Sequence, residues 1–400
     1  MNHDPAPASP HSERLRQAFP AVIGALVCVH ASMAATRVTA SLLLLQRGHP
    51  AWTVGVLLTL FAVAPIALSL WAGRLADRHG LHRPLGIGVW MGTLGAGVAV
   101  VSQHPLALAL AALATGGAIS VAAVGIQREA GLMAREPSDL KRVFSWVALG
   151  PALSNALAPV SVGLLIDHVG FRAGFVFAAL LPVLAWGLAQ RVPRSAVQDS
   201  GTLGRRLRGR ALALLRLAPL RWLILVNLAL SATWDAHSFV VPVLGHARGL
   251  SASGIGLVLG AFAVAATVVR LGISRWADHL NERTALRAAM ALAASVCAVY
   301  LWLPGLPGMV LGSALLGLAL GSVQPMVLSM LHQVTPPDQH GQALGLRMLA
   351  TNAMTIVMPL VFGLLAGVAT TAAPLWLMAA LVLLAQWPAA RALPRGSHAG

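Results

Sequence analysis

Two charged residues lie inside long apolar stretches of the chain, where a charge is costly. Arg37 stands in the first apolar stretch and Asp235 in the seventh. A guanidinium can bind an anionic group, and a carboxyl group can take up and release a proton as a cationic neighbour leaves or approaches. Such charges usually face a water-filled cavity or an opposite charge. We expect Arg37 and Asp235 to serve binding and proton transfer, or to form a structural ion pair.

Other polar residues accompany these charges. The helix face of Asp235 carries polar and aromatic side chains at helical spacing, namely Asn227, Ser231, Trp234 and Ser238. His30 lies two turns before Arg37 on the same face. We expect His30 to contribute to a binding site or, like His237, to be a hydrogen-bonded or lipid-interface residue.

Several polar residues stand near the ends of apolar stretches. Gln127 and Gln324 could hydrogen-bond a polar ligand. Arg128 and Glu129 form either a gate pair or an ordinary surface cluster. Arg270 and Arg347 also have more than one possible role. Arg270 either extends its guanidinium to the membrane surface or belongs to a gate. Arg347 either has a role of this kind or is a positive residue that fixes the cytoplasmic end of its helix.

The densest group of charges and turn residues occupies positions 73–83, which read Gly-Arg-Leu-Ala-Asp-Arg-His-Gly-Leu-His-Arg. Because this stretch separates two long apolar segments, we expect a tight loop at a membrane surface.

The composition predicts an integral membrane protein. Of 400 residues, 57% are hydrophobic and only 10% are charged, whereas soluble domains carry roughly 25% charged residues. The net charge of +16 lies in short loops, so we expect no nucleic-acid partner. Cys28 and Cys297 stand in apolar runs as small hydrophobes, and the histidines are scattered, so we expect no metal site. A phosphate-binding Gly-x-x-x-x-Gly-Lys loop is absent from the sequence, so we expect no cofactor, with a proton gradient as the energy source.

Twelve stretches are long and apolar enough to cross a bilayer as helices. They cover residues 19–45, 52–71, 84–102, 106–127, 143–166, 171–189, 220–244, 253–272, 286–303, 309–331, 343–368 and 374–387. A basic, polar segment separates the sixth from the seventh. The sequence therefore predicts a six-helix bundle at 1–192, a cytoplasmic linker at 193–219 and a second six-helix bundle at 220–400. We treat the first stretch as a helix of the bundle and not as a cleavable signal peptide, because it has a counterpart in the second half.

The positive residues predict the orientation, since Lys and Arg stay on the cytoplasmic side. With both termini in the cytoplasm, about 24 of the 28 Lys and Arg residues lie inside, Arg47, Arg172 and Arg248 lie outside, and Arg37 lies within a helix.

An offset of about 200 residues relates the two halves. It aligns residues 46–48 with 247–249, 74–78 with 275–279, and 158–165 with 358–365. Two six-helix halves in the same orientation are the plan of transporters that rock about a central site.

With these features, the chain resembles the major facilitator superfamily over nearly its whole length. The family signature between helices two and three is matched by Gly73, Leu75, Asp77, Arg78, Gly80 and Arg83. Leu81 and His82 depart from its basic end. Arg275 and Asp278 echo the signature in the second half.

The resemblance implies roles in gating. Asp77 would face the amide groups that begin helix eleven and hold an inner gate closed, and Asp278 would do the same for helix five. Arg83 and Arg275 would belong to this latch or would only set topology. Helices one and seven line the family's central cavity, so Arg37 and Asp235 would pair there, or would bind an anionic group and the coupling proton, respectively.

A second motif lies in the fifth helix. Gly150 and Pro151 are similar to the Gly-Pro-x-x-Gly-Gly of family members that exchange substrate for protons, with Ser154 and Asn155 in place of the last two glycines. Simple helix packing explains the pair equally well.

The resemblance implies a secondary active transporter in the bacterial inner membrane. We expect proton-coupled efflux of a small organic molecule by a monomer, with proton-coupled import of an organic anion as the alternative. A membrane receptor or a membrane-embedded enzyme is disfavoured, because the sequence shows no catalytic cluster and no appended soluble domain.

Overall fold

The described residues of the chain are almost entirely α-helical. A computed structural model describes residues 17–133, 137–193, 212–276, 282–335 and 340–392. Within these ranges there are twelve α-helices and no β-strand. They are α1 (Phe19–Gln46), α2 (Ala51–His79), α3 (His82–Val101), α4 (Pro105–Leu132), α5 (Pro137–His168), α6 (Phe171–Ala189), α7 (Ala218–Ala247), α8 (Ala252–Trp276), α9 (Glu282–Val299), α10 (Gly305–Val334), α11 (His340–Val368) and α12 (Ala373–Ala392).

These helices confirm the predicted multi-pass membrane protein. Among the described residues, eleven helices are long and apolar enough to cross a membrane, and α12 adds a shorter apolar segment at Ala373–Trp387. Helices suit this environment because each satisfies its own backbone hydrogen bonds in lipid.

The charged stretch at 73–83 is mostly helical, so the prediction of a tight loop there is wrong. Helix α2 runs to His79, and α3 begins at His82. Only Gly80 and Leu81 form the turn; Gly80 has a φ of +65° and donates its N–H to the Ala76 carbonyl at 2.9 Å. A left-handed glycine after the last helical residue is a common way to end a helix. The apolar pattern of the sequence indicates where the hydrocarbon core of the bilayer ends, whereas helix α2 continues past that point to His79.

The helices group into two compact units. The first contains the described residues of Met1–Arg37, Val63–Ala158 and Phe171–Ser200; the second contains those of Val38–Ala62, Pro159–Gly170 and Gly201–Gly400. This grouping follows contacts along the helices and does not test the predicted boundaries at 192 and 220, which stay predictions. Most of the predicted linker, at 194–211, lies outside the described residues.

Small residues bring the helices of the first unit close together. On α3, a Cβ at Gly88 would meet Ala118 and Ala122 of α4 within 3.0 Å, and one at Gly92 would meet Pro182 of α6. Ser32 of α1 donates to a carbonyl of α6, that of Ala178, at 2.7 Å. This packing resembles the small-residue interfaces of membrane helices generally.

The second unit is built around α7, which packs against α10, α11 and α12. Helices α8 and α10 approach so closely that a Cβ at Gly317 would clash with the Phe262 carbonyl oxygen. The ends of α2 and α5 that belong to this unit pack in the same way, because Gly55 lies against Pro359 of α11, and Gly163 lies against Ala252 of α8. These close contacts leave a cavity among α7, α8, α10 and α11.

Candidate functional site

A cavity of about 350 Å³ lies within the second unit. Four helices supply its lining, which combines charged, amide, hydroxyl and apolar side chains: Asn227, Leu230, Ser231, Trp234, Asp235, Arg270, Leu320, Val323, Gln324, Arg347, Met348, Thr351, Asn352 and Thr355. Its volume falls in the range of small-molecule sites, which is about 300–1,000 Å³.

Helix α7 contributes the face that the sequence singled out. Asn227, Trp234 and Asp235 all line the cavity, because positions three or four residues apart share one side of a helix. Gln324 joins them from α10. The structure thus brings together four of the predicted binding residues, although it does not test their roles.

Arg347 of α11 enters the same cavity and is held by α7. One of its terminal nitrogens donates to the Asn227 side-chain oxygen at 3.3 Å. The Asn227 amide group donates in turn to the Thr351 hydroxyl at 3.0 Å, and that hydroxyl donates to the Arg347 carbonyl at 3.0 Å. The Nε of Arg347 is buried and has no hydrogen-bond partner among the described residues. A buried donor without an acceptor is costly, so this guanidinium is incompletely satisfied by the described residues.

Arg270 of α8 provides a second guanidinium, fixed by different neighbours. Its Nε donates to the Gly321 carbonyl of α10 at 3.2 Å, and its Cζ lies 5.7 Å from the centre of the Trp234 ring. Guanidinium groups at this distance are attracted to the face of an indole. Trp234 itself contacts Phe262 edge-on, with ring centres 4.5 Å apart. Arg270 therefore has a defined position at the cavity.

A fully buried polar network lies next to this aromatic pair. Phe262 stacks on His237 with ring centres 4.2 Å apart. The His237 Nε2 lies 2.8 Å from the Ser313 hydroxyl, and the Tyr300 hydroxyl lies 2.6 Å from the same atom. His237 is 0% exposed, so it is a hydrogen-bonded core residue and does not face lipid.

The charges of the lining favour anions. Arg270 and Arg347 contribute two positive charges to the cavity, against one negative charge from Asp235 when it is ionised. Between low-dielectric walls, such an excess acts over a longer range than it would in water.

The remaining predicted binding residues lie in the first unit. Arg37 and His30 are half-buried on α1, and Gln127 is exposed on α4. The predicted pairing of Arg37 with Asp235 would join the two units and stays a prediction.

Around the charged stretch, the structure shows one long ion pair. The Arg128 Nε lies 3.9 Å from the Asp77 carboxylate, and the Asp77 side chain is 56% exposed. Because this pair is long and its carboxylate is exposed, it contributes little to stability, although the Arg128 side chain is only 18% exposed. Glu129 is fully buried and so is not part of a surface cluster, whereas Arg78 and Arg83 are exposed. Whether these residues gate is untested.

The second-half copy of the charged stretch is only partly visible. Asp278 lies outside the described residues, and of Arg275 only the backbone is described, in the last turn of α8.

Gly150 and Pro151 lie within α5, which continues through both. A Cβ at Gly150 would lie 2.8 Å from a methyl group of Leu26 on α1. Ser154 donates to the Val27 carbonyl at 2.8 Å. The glycine therefore allows α5 to pack tightly on α1, as the packing explanation requires, and this leaves the transport explanation open.

Sequence reasoning missed Asp167, at the end of α5. Its carboxylate accepts N–H bonds from Ala252 and Ser253, the residues that begin α8. It also gave Arg270 and Arg347 no binding role, although Arg347, Thr351 and Thr355 recur at one-turn spacing within a membrane-length stretch.

With the fold and the cavity described, the class of protein follows. The chain belongs to the Major Facilitator Superfamily, whose family model matches residues 22–308 and 223–399. It is therefore a transporter by class and not an enzyme. The maltose permease of Geobacillus stearothermophilus is 28% identical over 214 residues, which span 52% of this chain and 52% of the permease.

Solved structures share the fold at low sequence identity. A mutant of the nucleoside transporter NupG has a TM-score of 0.73 at 13% identity, covering 95% of this chain and 100% of that one. A POT family transporter in complex with 5-aminolevulinic acid has a TM-score of 0.72 at 12% identity, covering 93% and 95%. The human organic anion transporter MFSD10 has a TM-score of 0.64 at 18% identity, covering 95% and 100%.

Proposed function

We propose that this chain is a proton-coupled secondary transporter that binds a small organic anion in the cavity of the second unit. The observation that carries the proposal is the presence of two fixed guanidiniums, Arg270 and Arg347, in one cavity among membrane helices. Guanidinium groups bind carboxylates through charge-assisted hydrogen bonds, which are among the stronger polar contacts. The fold is compatible with such a cargo, because the human organic anion transporter named above shares it.

Asp235 is the proposed proton carrier. It lines the same cavity as both arginines, so its ionisation changes the net charge that an anion meets. A protonated Asp235 leaves the guanidiniums uncompensated and favours anion binding, whereas an ionised Asp235 disfavours it. In this scheme, Arg37 of α1 is a further cation that influences the proton affinity of Asp235.

Uptake is the direction that this arrangement favours, because a protonated Asp235 promotes anion binding, so that the proton and the anion cross together. An inside-negative membrane potential opposes the entry of an anion by about 2.3 kcal/mol per charge at 100 mV. A proton that travels with the anion cancels one such charge and adds the energy of the pH gradient. Energy would thus come from the proton gradient, without a bound cofactor.

Proton-coupled efflux is the second candidate. It is supported by Gly150 and Pro151 of α5, which are similar to the Gly-Pro-x-x-Gly-Gly of family members that exchange substrate for protons. In this mode the membrane potential would itself favour exit of the anion.

The setting of the transporter is also proposed. The distribution of Lys and Arg supports a bacterial inner membrane protein with both termini in the cytoplasm. We propose that it works as a monomer surrounded by lipid, with a small molecule and no nucleic acid as its partner.

Transport by purified protein in proteoliposomes tests the function. Radiolabelled organic acids and neutral analogues are supplied outside, and a pH gradient of either sign is imposed. We expect an acid to accumulate when the lumen is alkaline, and not when the gradient is dissipated with an ionophore. Accumulation only when the lumen is acidic would indicate exchange and favour efflux. Accumulation of neutral analogues alone would contradict the anion proposal.

A further inference from the structure

The two guanidiniums of the cavity project from different helices and are hydrogen-bonded by different residues. Arg270 projects from α8 and is held by Gly321 of α10, whereas Arg347 projects from α11 and is held by Asn227 of α7. Because no support is shared, each guanidinium keeps its position without the other. The cavity therefore offers two anchoring points for acidic groups, one on each of two helices.

Each anchoring point has donors left for a ligand. The Nε of Arg270 is bonded to Gly321, so its two terminal nitrogens take no part in that bond, and the residue lines the cavity together with Trp234. At Arg347 one terminal nitrogen is bonded to Asn227 and the Nε is buried, so the second terminal nitrogen is the donor that we assign to a ligand. A carboxylate can accept two hydrogen bonds from one guanidinium.

Apolar side chains line the same cavity as the two guanidiniums. Leu230, Leu320, Val323 and Met348 belong to this lining, together with the Trp234 ring. A volume of about 350 Å³ corresponds to roughly a dozen water-sized groups. Such a space suits a short carbon skeleton with an acidic group at each end.

The net charge of the cavity lining also favours a ligand with two negative charges. When Asp235 carries a proton, the lining holds two positive charges and no negative one. A dianion would then make the loaded cavity neutral, whereas a monoanion would leave one positive charge uncompensated. A neutral loaded site is the least costly to enclose in the membrane, where unbalanced charge is expensive.

We propose that the substrate class is a short organic dianion whose two separate acidic groups bind Arg270 and Arg347. The inference rests on the proposed function, because it assigns the cargo of the same cavity. Asn227 and Gly321 are positioning residues in this arrangement, and Trp234 is the wall against which the carbon skeleton lies.

Matched ligands test the proposal on the wild-type protein. Thermal shift and equilibrium binding are measured with saturated dicarboxylic acids of four to eight carbons, with the monoamide of each, and with the diamide. We expect at least one diacid to bind ten or more times as tightly as its monoamide, and the diamide not to bind. Equal binding of diacid and monoamide would overturn the two-anchor proposal while leaving anion transport intact. Binding of the diamide as tight as that of the diacid would overturn both.

Arginine variants locate the two contacts. In Arg270→Gln and in Arg347→Gln, we expect the advantage of the diacid over its monoamide to fall to less than threefold. Arg287→Gln is the matched control, because Arg287 is exposed on α9 and does not line the cavity. A tenfold advantage that persists in either cavity variant would overturn the proposal. If a variant does not fold, the ligand series measured on the wild-type protein still tests the proposal. The monoamide removes one charge from the ligand, whereas the variant removes the matching charge from the protein.

Discussion

The carboxylate of Asp167, in the last turn of α5, accepts a hydrogen bond from the backbone N–H of Ser253 at 2.8 Å. Its second oxygen accepts the N–H of Ala252 at 2.9 Å. The first amide groups of a helix have no partner within the helix and carry partial positive charge. Asp167 therefore caps α8 from another helix and joins the ends of α5 and α8, where Gly163 allows contact with Ala252.

Replacing Asp167 with Asn should weaken this junction. The amide side chain has one oxygen and no charge, so it can keep only one of the two accepted bonds. By comparison with helix caps, we expect the free energy of unfolding to fall by about 1 kcal/mol. Thermal unfolding in detergent measures the change. Asp77→Asn is the control, because the Asp77 side chain is 56% exposed and lies 3.9 Å from its partner; equal loss in both variants would contradict the capping role.

Asn227 should act on anion binding through Arg347. Asn227→Leu removes the acceptor that holds the guanidinium, and Asn227→Asp places a negative charge beside it. We expect the dissociation constant for a bound acid to rise about tenfold in the first variant and more in the second. Thr233→Val is a matched control, since Thr233 bonds only within α7 and does not line the cavity. Unchanged binding in both Asn227 variants would show that Arg347 needs no positioning.

Two glycines of the charged stretch should respond differently to alanine. Gly80 has a left-handed backbone, so Gly80→Ala should lower stability by about 1–2 kcal/mol. A Cβ at Gly73 would meet nothing within 4 Å, so Gly73→Ala should keep or raise thermal stability.

Transport by the Gly73 variant tests the gating hypothesis. If Gly73 must approach another helix in a second conformation, Gly73→Ala will be stable but slow in transport assays. Transport at the wild-type rate by a stable Gly73→Ala protein would remove Gly73 from the gate.

The helices could be predicted because membrane helices are encoded locally, by the length of an apolar stretch. The end of α2 at His79 could not, since hydropathy reports the thickness of the bilayer and not the last helical hydrogen bond. The turn at Gly80 shows the difference, because the helix stops where a left-handed residue is available and not where the charges begin.

The site was predictable along α7 and at Gln324 of α10, but its two arginine contacts were not. Asn227, Trp234 and Asp235 could be grouped because they repeat at helical spacing on α7. The contact between Arg347 and Asn227 spans 120 residues, and the bond from Arg270 to Gly321 uses a backbone carbonyl. Asp167 was missed for a similar reason, because its partners are amide groups that every residue type other than proline carries.

The central claim is that one cavity binds an organic anion and Asp235 couples it to a proton. Proteoliposomes with the wild-type protein and with Asp235→Asn test this claim most directly. The two are compared in accumulation driven by a pH gradient and in exchange of labelled for unlabelled acid at equal pH. Asp235→Glu, which keeps the acid, is the matched variant.

We predict that Asp235→Asn will lose gradient-driven accumulation of the acid and keep exchange, because the amide cannot carry a proton but leaves both guanidiniums in place. Asp235→Glu should retain part of the accumulation. Wild-type accumulation by Asp235→Asn, with the same dependence on the pH gradient, would contradict the account.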